Sequence, residues 1–422
     1  MLGVETIAFI VGAGLCVFAA LALVSWSGQA FASMASESQA YSESVRAMRE
    51  AIRTQADQQS DEQASSSWSG YRDFVVTKVV RECADTTSLY LEAADGKPIA
   101  TFRPGQHITL RFPVKGKLRP LVRCYSLSDS PGKPWYRITV KHHFEANENP
   151  QVDPRPGLIS TIINTQTQVG DRIAVKSPSG HFCLDEDSEE IAVLIAGGVG
   201  ITPMISMLER IVESGSQRPV VIVHGVGNRG EQAFADHLRA RANQAATIHC
   251  VNCYSRPTSQ DIMGTHYQHR GYVSVDLLKS VLPNNECQFY ICGNPEFNKS
   301  ISQGLLDWGV AESRIAFEQF GPASIGKTAT SKTIVYDELV PISFTESGET
   351  ILWSPQYESI LELAEAHDVP IESGCRSGSC GTCEAAILSG KVRHQGDHEV
   401  ACGPGRCLPC IAIPDGALEL EV

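Results

Sequence analysis

Positive charge is scarce in this chain: 35 Lys and Arg stand against 48 Asp and Glu, a net charge of −13. A nucleic-acid binder needs the opposite excess to neutralise phosphates, so that class is excluded and a basic protein partner, or none, is left. Basic residues are also missing ahead of the apolar run Ile7 to Val24, where Glu5 is the only charge. A secretory signal normally opens on a basic segment, so residues 1–28 are expected to be an uncleaved anchor, with Ala30-Phe31-Ala32-Ser33 as the competing cleavage site. As a helix those eighteen residues would be about 27 Å long, which just spans a bilayer. An even spread of cysteine is lacking too: six of the 14 fall in the last 48 residues. Scattered Cys16, Cys83, Cys124, Cys183 and Cys287 read as small buried hydrophobes in a reducing compartment, which excludes a disulfide framework. There is no internal repeat, and Cys250-x-x-Cys253 has no second pair with which to bind zinc. His266, His269, His394 and His398 occupy polar, loop-like stretches and need no ligand role.

The chain is too long for a single core, and its texture changes along its length. Residues 29–70 are polar and read as a helical or loosely ordered stalk. Between Phe74 and Ser177 short alternating strands are broken by Gly and Pro, the pattern of a closed antiparallel barrel. From Ile191 continuous apolar strands alternate with amphipathic helices, as in the buried parallel strands of a doubly wound α/β sheet. A Ser/Thr/Lys-rich stretch after Gly321 to about Thr333 marks a linker, and a separate domain follows it.

That last domain carries the strongest signal. Cys375-x4-Cys380-x2-Cys383, with a further cysteine downstream, is the spacing of a plant-type [2Fe-2S] site, and Gly374, Gly378 and Gly381 let the backbone approach the sulfurs. Cys402, Cys407 and Cys410 are all within reach as the fourth ligand. The segment Cys410-Ile411-Ala412-Ile413-Pro414 resembles the stretch that carries the last ligand in plant-type ferredoxins, and this resemblance implies Cys410. Leu352 to Val369 is expected to supply the helix over the small sheet, which makes the domain an α+β ferredoxin (β-grasp) fold.

Arg123-Cys124-Tyr125-Ser126-Leu127-Ser128 matches the RxYS motif of the ferredoxin-NADP reductase superfamily, and Gly157-Leu158-Ile159-Ser160 resembles the second half of its signature. The resemblance implies that Arg123 pairs with a flavin phosphate, Tyr125 stacks on the isoalloxazine and Ser126 sits near N5. It further implies that Thr139, Lys141, Gly157, Ile159 and Ser160 line the flavin site, the helix start offering its free N–H groups to the pyrophosphate. Tyr125 to Pro131 and Val169-Gly170-Asp171 are similar to the reductase half of flavohaemoglobins, which favours FAD over FMN.

A strand-to-helix glycine turn, Gly197-Gly198-Val199-Gly200-Ile201-Thr202-Pro203, lets the backbone reach a pyrophosphate, with Thr202 expected as helix cap. Tyr290-Ile291-Cys292-Gly293-Asn294-Pro295 is the superfamily's other nucleotide signature, and the resemblance sets Cys292, Gly293 and Asn294 beside the nicotinamide. It also sets Glu318 and Phe320 near the flavin edge, with Ser126, Cys292 and Glu318 as the catalytic set. No acid follows the strand ending at Val223, while Arg229 can meet a 2′-phosphate, so NADH and NADPH both stay open; the reductases resembled favour NADH.

Assembled, the expected order is an anchor (1–28), a stalk (29–70), an FAD-binding barrel (71–187), an NAD(P)-binding domain (188–325) and a [2Fe-2S] domain (326–422). The implied function is a membrane-anchored reductase, its soluble domains facing the cytoplasm, that feeds an oxygenase, hydroxylase or desaturase. Its rivals are a subunit of a respiratory NADH:quinone reductase, disfavoured by domain order, and an iron-sulfur redox sensor with an idle reductase fold. A nitric oxide dioxygenase is disfavoured because no globin segment fits in residues 1–70.

Overall fold

Alternation builds the first sheet. Phe74 and Val76 of β1 (Arg72–Cys83), Leu89 and Leu91 of β2 (Thr86–Ala93), and Ile108 and Leu110 of β3 (His107–Phe112) are all fully buried in one core, two residues apart on each strand. β4 (Leu121–Ser126), β5 (Tyr136–Lys141) and β6 (Arg172–Val175) complete a six-stranded antiparallel sheet in the order β4-β3-β6-β1-β2-β5. In place of the ladder that would shut a barrel, Leu127, the residue after edge strand β4, meets Ile138 of edge strand β5 at an isolated bridge. Pro131 and Pro134 lie between them and cannot donate ladder hydrogen bonds. Helix α1 (Leu158–Thr165) adds Ile159 and Ile163 to this core.

This computed structural model describes residues 68, 70–113, 120–145, 155–319, 340–374, 376, 378, 381–395 and 402–422. The expected anchor, the linker after Gly321, and all of the stalk but Trp68 and Gly70 lie outside the described residues. Among the described residues no helix is long and apolar enough to cross a membrane.

The second sheet is wholly parallel. Its strands are β7 (Ala192–Gly197), β8 (Val220–Val226), β9 (Ile248–Tyr254), β10 (His269–Arg270), β11 (Gln288–Gly293) and β12 (Ile315–Gln319), in the order β10-β9-β8-β7-β11-β12. Helices α2 (Ile201–Glu213) and α3 (Ala235–Gln244) cover one face; α4 (Val275–Val281) and α5 (Pro295–Asp307) cover the other. Alternate residues of β7 serve the two cores: Leu194 and Ala196 on one side, Val193 and Ile195 on the other. β8 runs to Val226, three residues past the expected end, because His224 and Gly225 stay in register with Ala196 and Gly197. Cys250 and Cys253 lie on β9, where burial pushes both thiols up to about 12, as a structural role requires.

The third sheet is mixed. β13 (Val340–Phe344), β14 (Glu349–Trp353), β15 (Ala385–Ser389), β17 (Arg406–Cys407) and β19 (Leu418–Glu421) lie in the order β14-β13-β19-β15-β17, with β13 and β19 parallel. A ribbon of β16 (Val392–His394) and β18 (Ala412–Pro414) stands beside it. Leu352 belongs to β14, and the helix expected from there is the shorter α6 (Ile360–Ala366), started by Ser359, whose Oγ accepts from Glu362 N at 3.2 Å. His394 lies on β16 rather than in a loop, where Nε2 accepts from Leu408 N at 3.1 Å.

One buried carboxylate staples α2 to α3. Glu209 is 3% exposed and accepts from His237 Nε2 at 2.7 Å and from the Arg241 guanidinium, with Nε at 2.9 Å. Burial works to raise its pKa, but the His237 and Arg241 hydrogen bonds outweigh it and hold the carboxyl at about 2. A depressed carboxyl stabilises fully above its ordinary 4.5 and loses that contribution as pH falls towards about 2. Glu209→Ala should therefore lower the unfolding free energy at pH 7 by about 2 kcal/mol. In urea titrations the deficit should shrink progressively below that ordinary value.

Candidate functional site

In an open parallel sheet ligands bind beyond the carboxyl ends of the strands, where strand order reverses. Here the reversal falls between β7 and β11, and both nucleotide motifs end those two strands. Gly198 has φ +56, a left-handed value that favours glycine. A Cβ on Gly200 would stand 2.0 Å from the Cys292 carbonyl oxygen, and one on Gly293 2.5 Å from the Phe297 ring. Gly197 presses on the same ring. The turn runs through a single 3-10 turn straight into α2, so Thr202 is the second residue of the helix and not its cap. Its Oγ donates to Val199 O at 3.1 Å. Pro203 follows in the first turn, where a missing N–H breaks no helix bond. Asn294 caps α5, its Oδ1 accepting from Phe297 N at 2.8 Å. Beneath the glycines, buried His224 meets Gly198 O through Nε2 at 2.9 Å, and burial depresses its pKa to about 4. It is therefore neutral, and sequence reasoning missed it.

Cys292 and Glu318 are register partners on β11 and β12. Burial, and then the charge of Glu318, push the Cys292 thiol well above its ordinary value. Ser126 Oγ donates to Glu318 Oε2 at 3.1 Å, and His107 Nδ1 lies 3.8 Å from Glu318 Oε1. The three residues expected as the catalytic set are thus brought together from two sheets. His107 is an addition: it pairs with Ser126 across β3 and β4, and no local pattern marks it in the sequence.

The flavin-motif residues scatter more. Arg123 is exposed, its Nη1 donating to Val122 O at 2.7 Å, and Tyr125 is half-buried against the sheet core, its hydroxyl raised by burial. The start of α1 carries no side-chain cap at Gly157, so its first N–H groups suit a phosphate. The Ser160 hydroxyl donates to Gly157 O at 2.9 Å and accepts from His143 N at 3.1 Å, while the Ile159 side chain lies in the core. These two therefore offer backbone rather than side chains. The Thr139 hydroxyl is enclosed between Ser88 and Ser128, at 2.8 Å from each. Lys141 Nζ reaches Asp85 at 3.1 Å and Glu231 of the parallel-sheet domain at 3.8 Å. Phe320 lies outside the described residues.

Of the four expected cluster ligands, Cys375 and Cys380 lie outside the described residues, while Cys383 and Cys410 share one buried nest with Leu361, Leu408 and Ile411. Arg376, Gly378 and Gly381 all have left-handed φ, and a Cβ on Gly378 would stand 2.5 Å from Ile411 Cδ1. Among the described residues of the loop, Gly378 thus lies tight against the segment of Cys410, which suits a compact cluster wrapped by backbone N–H groups. Cys407 is fully buried in the sheet core, where burial, and then the charges of Cys383 and Cys402, push its thiol up to about 12.

Arg229 is exposed, its Nη1 3.1 Å from His266 Nε2, and it lines a groove of about 260 Å³ with Arg239, Asn252 and Gln268. A larger cavity of about 490 Å³ lies around Lys97, Phe102, Lys133 and Tyr136; it contains no candidate residue, so the chemistry and not the volume marks the site.

Residues 73–183 match the oxidoreductase FAD-binding domain family, 194–303 the oxidoreductase NAD-binding domain family, and 344–415 the 2Fe-2S iron-sulfur cluster binding domain family. The flavohemoprotein of Halalkalibacterium halodurans is 40% identical over 261 residues, 62% of each chain, so this chain spans about three-fifths of the length of such relatives. The flavohem-like FAD/NAD-binding domain of nitric oxide dioxygenase from Vibrio cholerae O1 biovar El Tor is 30% identical; 60% of this chain covers 100% of it at a TM-score of 0.53. Phthalate dioxygenase reductase, described as modular for electron transfer from pyridine nucleotides to [2Fe-2S], shares the fold over 84% of this chain and 98% of its own, at 22% identity and a TM-score of 0.51. The chain belongs to the flavoprotein oxidoreductases that join an FAD-binding to an NAD-binding domain, here with a C-terminal 2Fe-2S domain.

Proposed function

We propose that this protein is an NAD(P)H-dependent reductase that passes electrons from hydride through FAD and a [2Fe-2S] cluster to a partner oxygenase, hydroxylase or desaturase. The observation that carries the reading is the meeting of Ser126 with Glu318 beside Cys292. Bound FAD would supply the exchange between a hydride and single electrons. Gly197 to Gly200 and the start of α2 would hold the dinucleotide pyrophosphate by N–H groups and helix dipole. Cys292, kept neutral, would put no charge beside the nicotinamide, and Glu318 Oε2 fixes the rotor of Ser126 Oγ. Cys375, Cys380, Cys383 and Cys410 would hold the cluster.

Residues 71–187, 188–325 and 326–422 are the three cofactor modules in this reading, the first rolled into a barrel through the Leu127↔Ile138 bridge. Residues 1–28 are the membrane anchor, 29–70 the stalk, and the soluble domains face the cytoplasm, where reduced dinucleotide is available. Anchoring would raise the effective concentration near a membrane-bound acceptor. The partner fits the oxygenase for which phthalate dioxygenase reductase is named, and a basic docking face would suit the net charge of −13.

Purified protein should be yellow-brown, release FAD on extraction, and bleach when NADH or NADPH is added without oxygen; failure to bleach overturns the reading. Cys410→Ser should lose the cluster absorbance while Cys407→Ser keeps it, and the reverse reassigns the fourth ligand. Deleting residues 1–28 should release an active enzyme from membranes, whereas continued membrane association puts the anchor elsewhere.

A further inference from the structure

β3 and β4 form one ladder, and successive pairs on one of its faces are His107↔Ser126, Thr109↔Cys124 and Arg111↔Val122. The first pair meets Glu318. Four residues further along β3, roughly 14 Å at the strand rise, Arg111 crosses to the iron-sulfur domain. There its Nη2 donates to both carboxylate oxygens of Glu372, at 2.9 and 3.1 Å. Glu372 stands three residues ahead of Cys375, the first expected cluster ligand. The guanidinium is itself seated, 3.7 Å over the ring of Tyr71, with Lys176 Nζ 5.3 Å from the same ring. Such stacking orients the fork and leaves it less freedom to lose on pairing.

We propose that Arg111, seated on Tyr71, and Glu372 are the latch that docks the iron-sulfur domain on the flavin domain, holding the cluster loop at one end of a ladder whose other end carries the hydride site. Both are positioning residues, and the inference rests on the electron-transfer function proposed above. One hydride would bring two electrons, which bound FAD would hold and release singly; the cluster would take one at a time and pass it to the partner's one-electron acceptor, the accompanying proton leaving to solvent. Magnitude gives the latch its character. The Arg111 side chain is 34% and that of Glu372 44% exposed, and ion pairs so exposed are weak and screened by salt. A weak latch holds the domains together for transfer and still lets the cluster turn to an external acceptor.

The test uses the full chain in detergent, with Arg111→Glu, the milder Arg111→Gln, Glu372→Arg, and the swapped pair Arg111→Glu/Glu372→Arg. Hydrogen–deuterium exchange of peptides spanning 107–112 and 366–374 is measured without nucleotide, and flavin and cluster bleaching by NADH are followed separately in stopped flow. Each single variant should exchange faster in both peptides and reduce its cluster roughly fivefold more slowly, with flavin bleaching unchanged. The swap should restore both readouts, and high salt should make the wild type behave like the single variants. Unchanged exchange and cluster reduction in the single variants, or a swap that restores neither, overturns the latch. A wild-type flavin that does not bleach would sink the functional reading instead, and the exchange measurements would still decide the docking.

Discussion

Gly200 lies against the Cys292 carbonyl so closely that a Cβ would stand 2.0 Å from it. This contact joins the turn after β7 to the end of β11 at the place where strand order reverses, so the two nucleotide motifs are packed directly on each other. Parallel register then carries the constraint outward. Cys292 pairs with Glu318 on β12, and Glu318 reaches across to Ser126 and His107 on the antiparallel sheet. The two nucleotide motifs and the contact of Ser126 with Glu318 are thus related by backbone geometry. A side chain at position 200 would push the turn off β11 and disturb them together.

The antiparallel sheet also makes two separate contacts with its neighbours. Along one face of the β3–β4 ladder, Ser126 and His107 meet Glu318 while Arg111 meets the iron-sulfur domain. The two ends differ in character as their tasks require. Ser126 and His107 are 5% and 4% exposed, which suits a site that must exclude water. Arg111 and Glu372 keep access to solvent, which suits a contact that opens and closes. Strand pleating alone produces this division, since residues two apart share a face.

Much of this was legible in the sequence because its signals are local. A three-cysteine loop spaced four and two, glycines at a strand-to-helix turn, and a Cys-Gly pair ending a strand each depend on a few neighbours, and the domain families follow from them. What depended on distant residues was not legible. His107 acquires its place from a register partner 19 positions away and a carboxylate on another sheet. The enclosure of the Thr139 hydroxyl needs Ser88 and Ser128, and the helix laid over Leu352 to Val369 shortens because Leu352 is claimed by pairing with Pro341. Thr202 failed as a cap for a local but subtle reason, the 3-10 turn that delivers the chain already wound into α2.

Cys407 and Cys410, two of the three cysteines that spacing leaves open as the fourth cluster ligand, are held very differently. Cys407 and Cys410 are three residues apart, yet β17 pairs Cys407 with Ala385 and turns its thiol into the core beneath α6. There burial, and then the charges of Cys383 and Cys402, push its thiol up to about 12. The strand ends at that residue, and the turn that follows, closed by Ile411 N donating to Leu408 O at 3.0 Å, brings Cys410 round to the nest of Cys383. Gly378 presses on Ile411 from the other side. The turn thus carries Cys410 into the nest of Cys383, while Cys407 stays paired in the sheet.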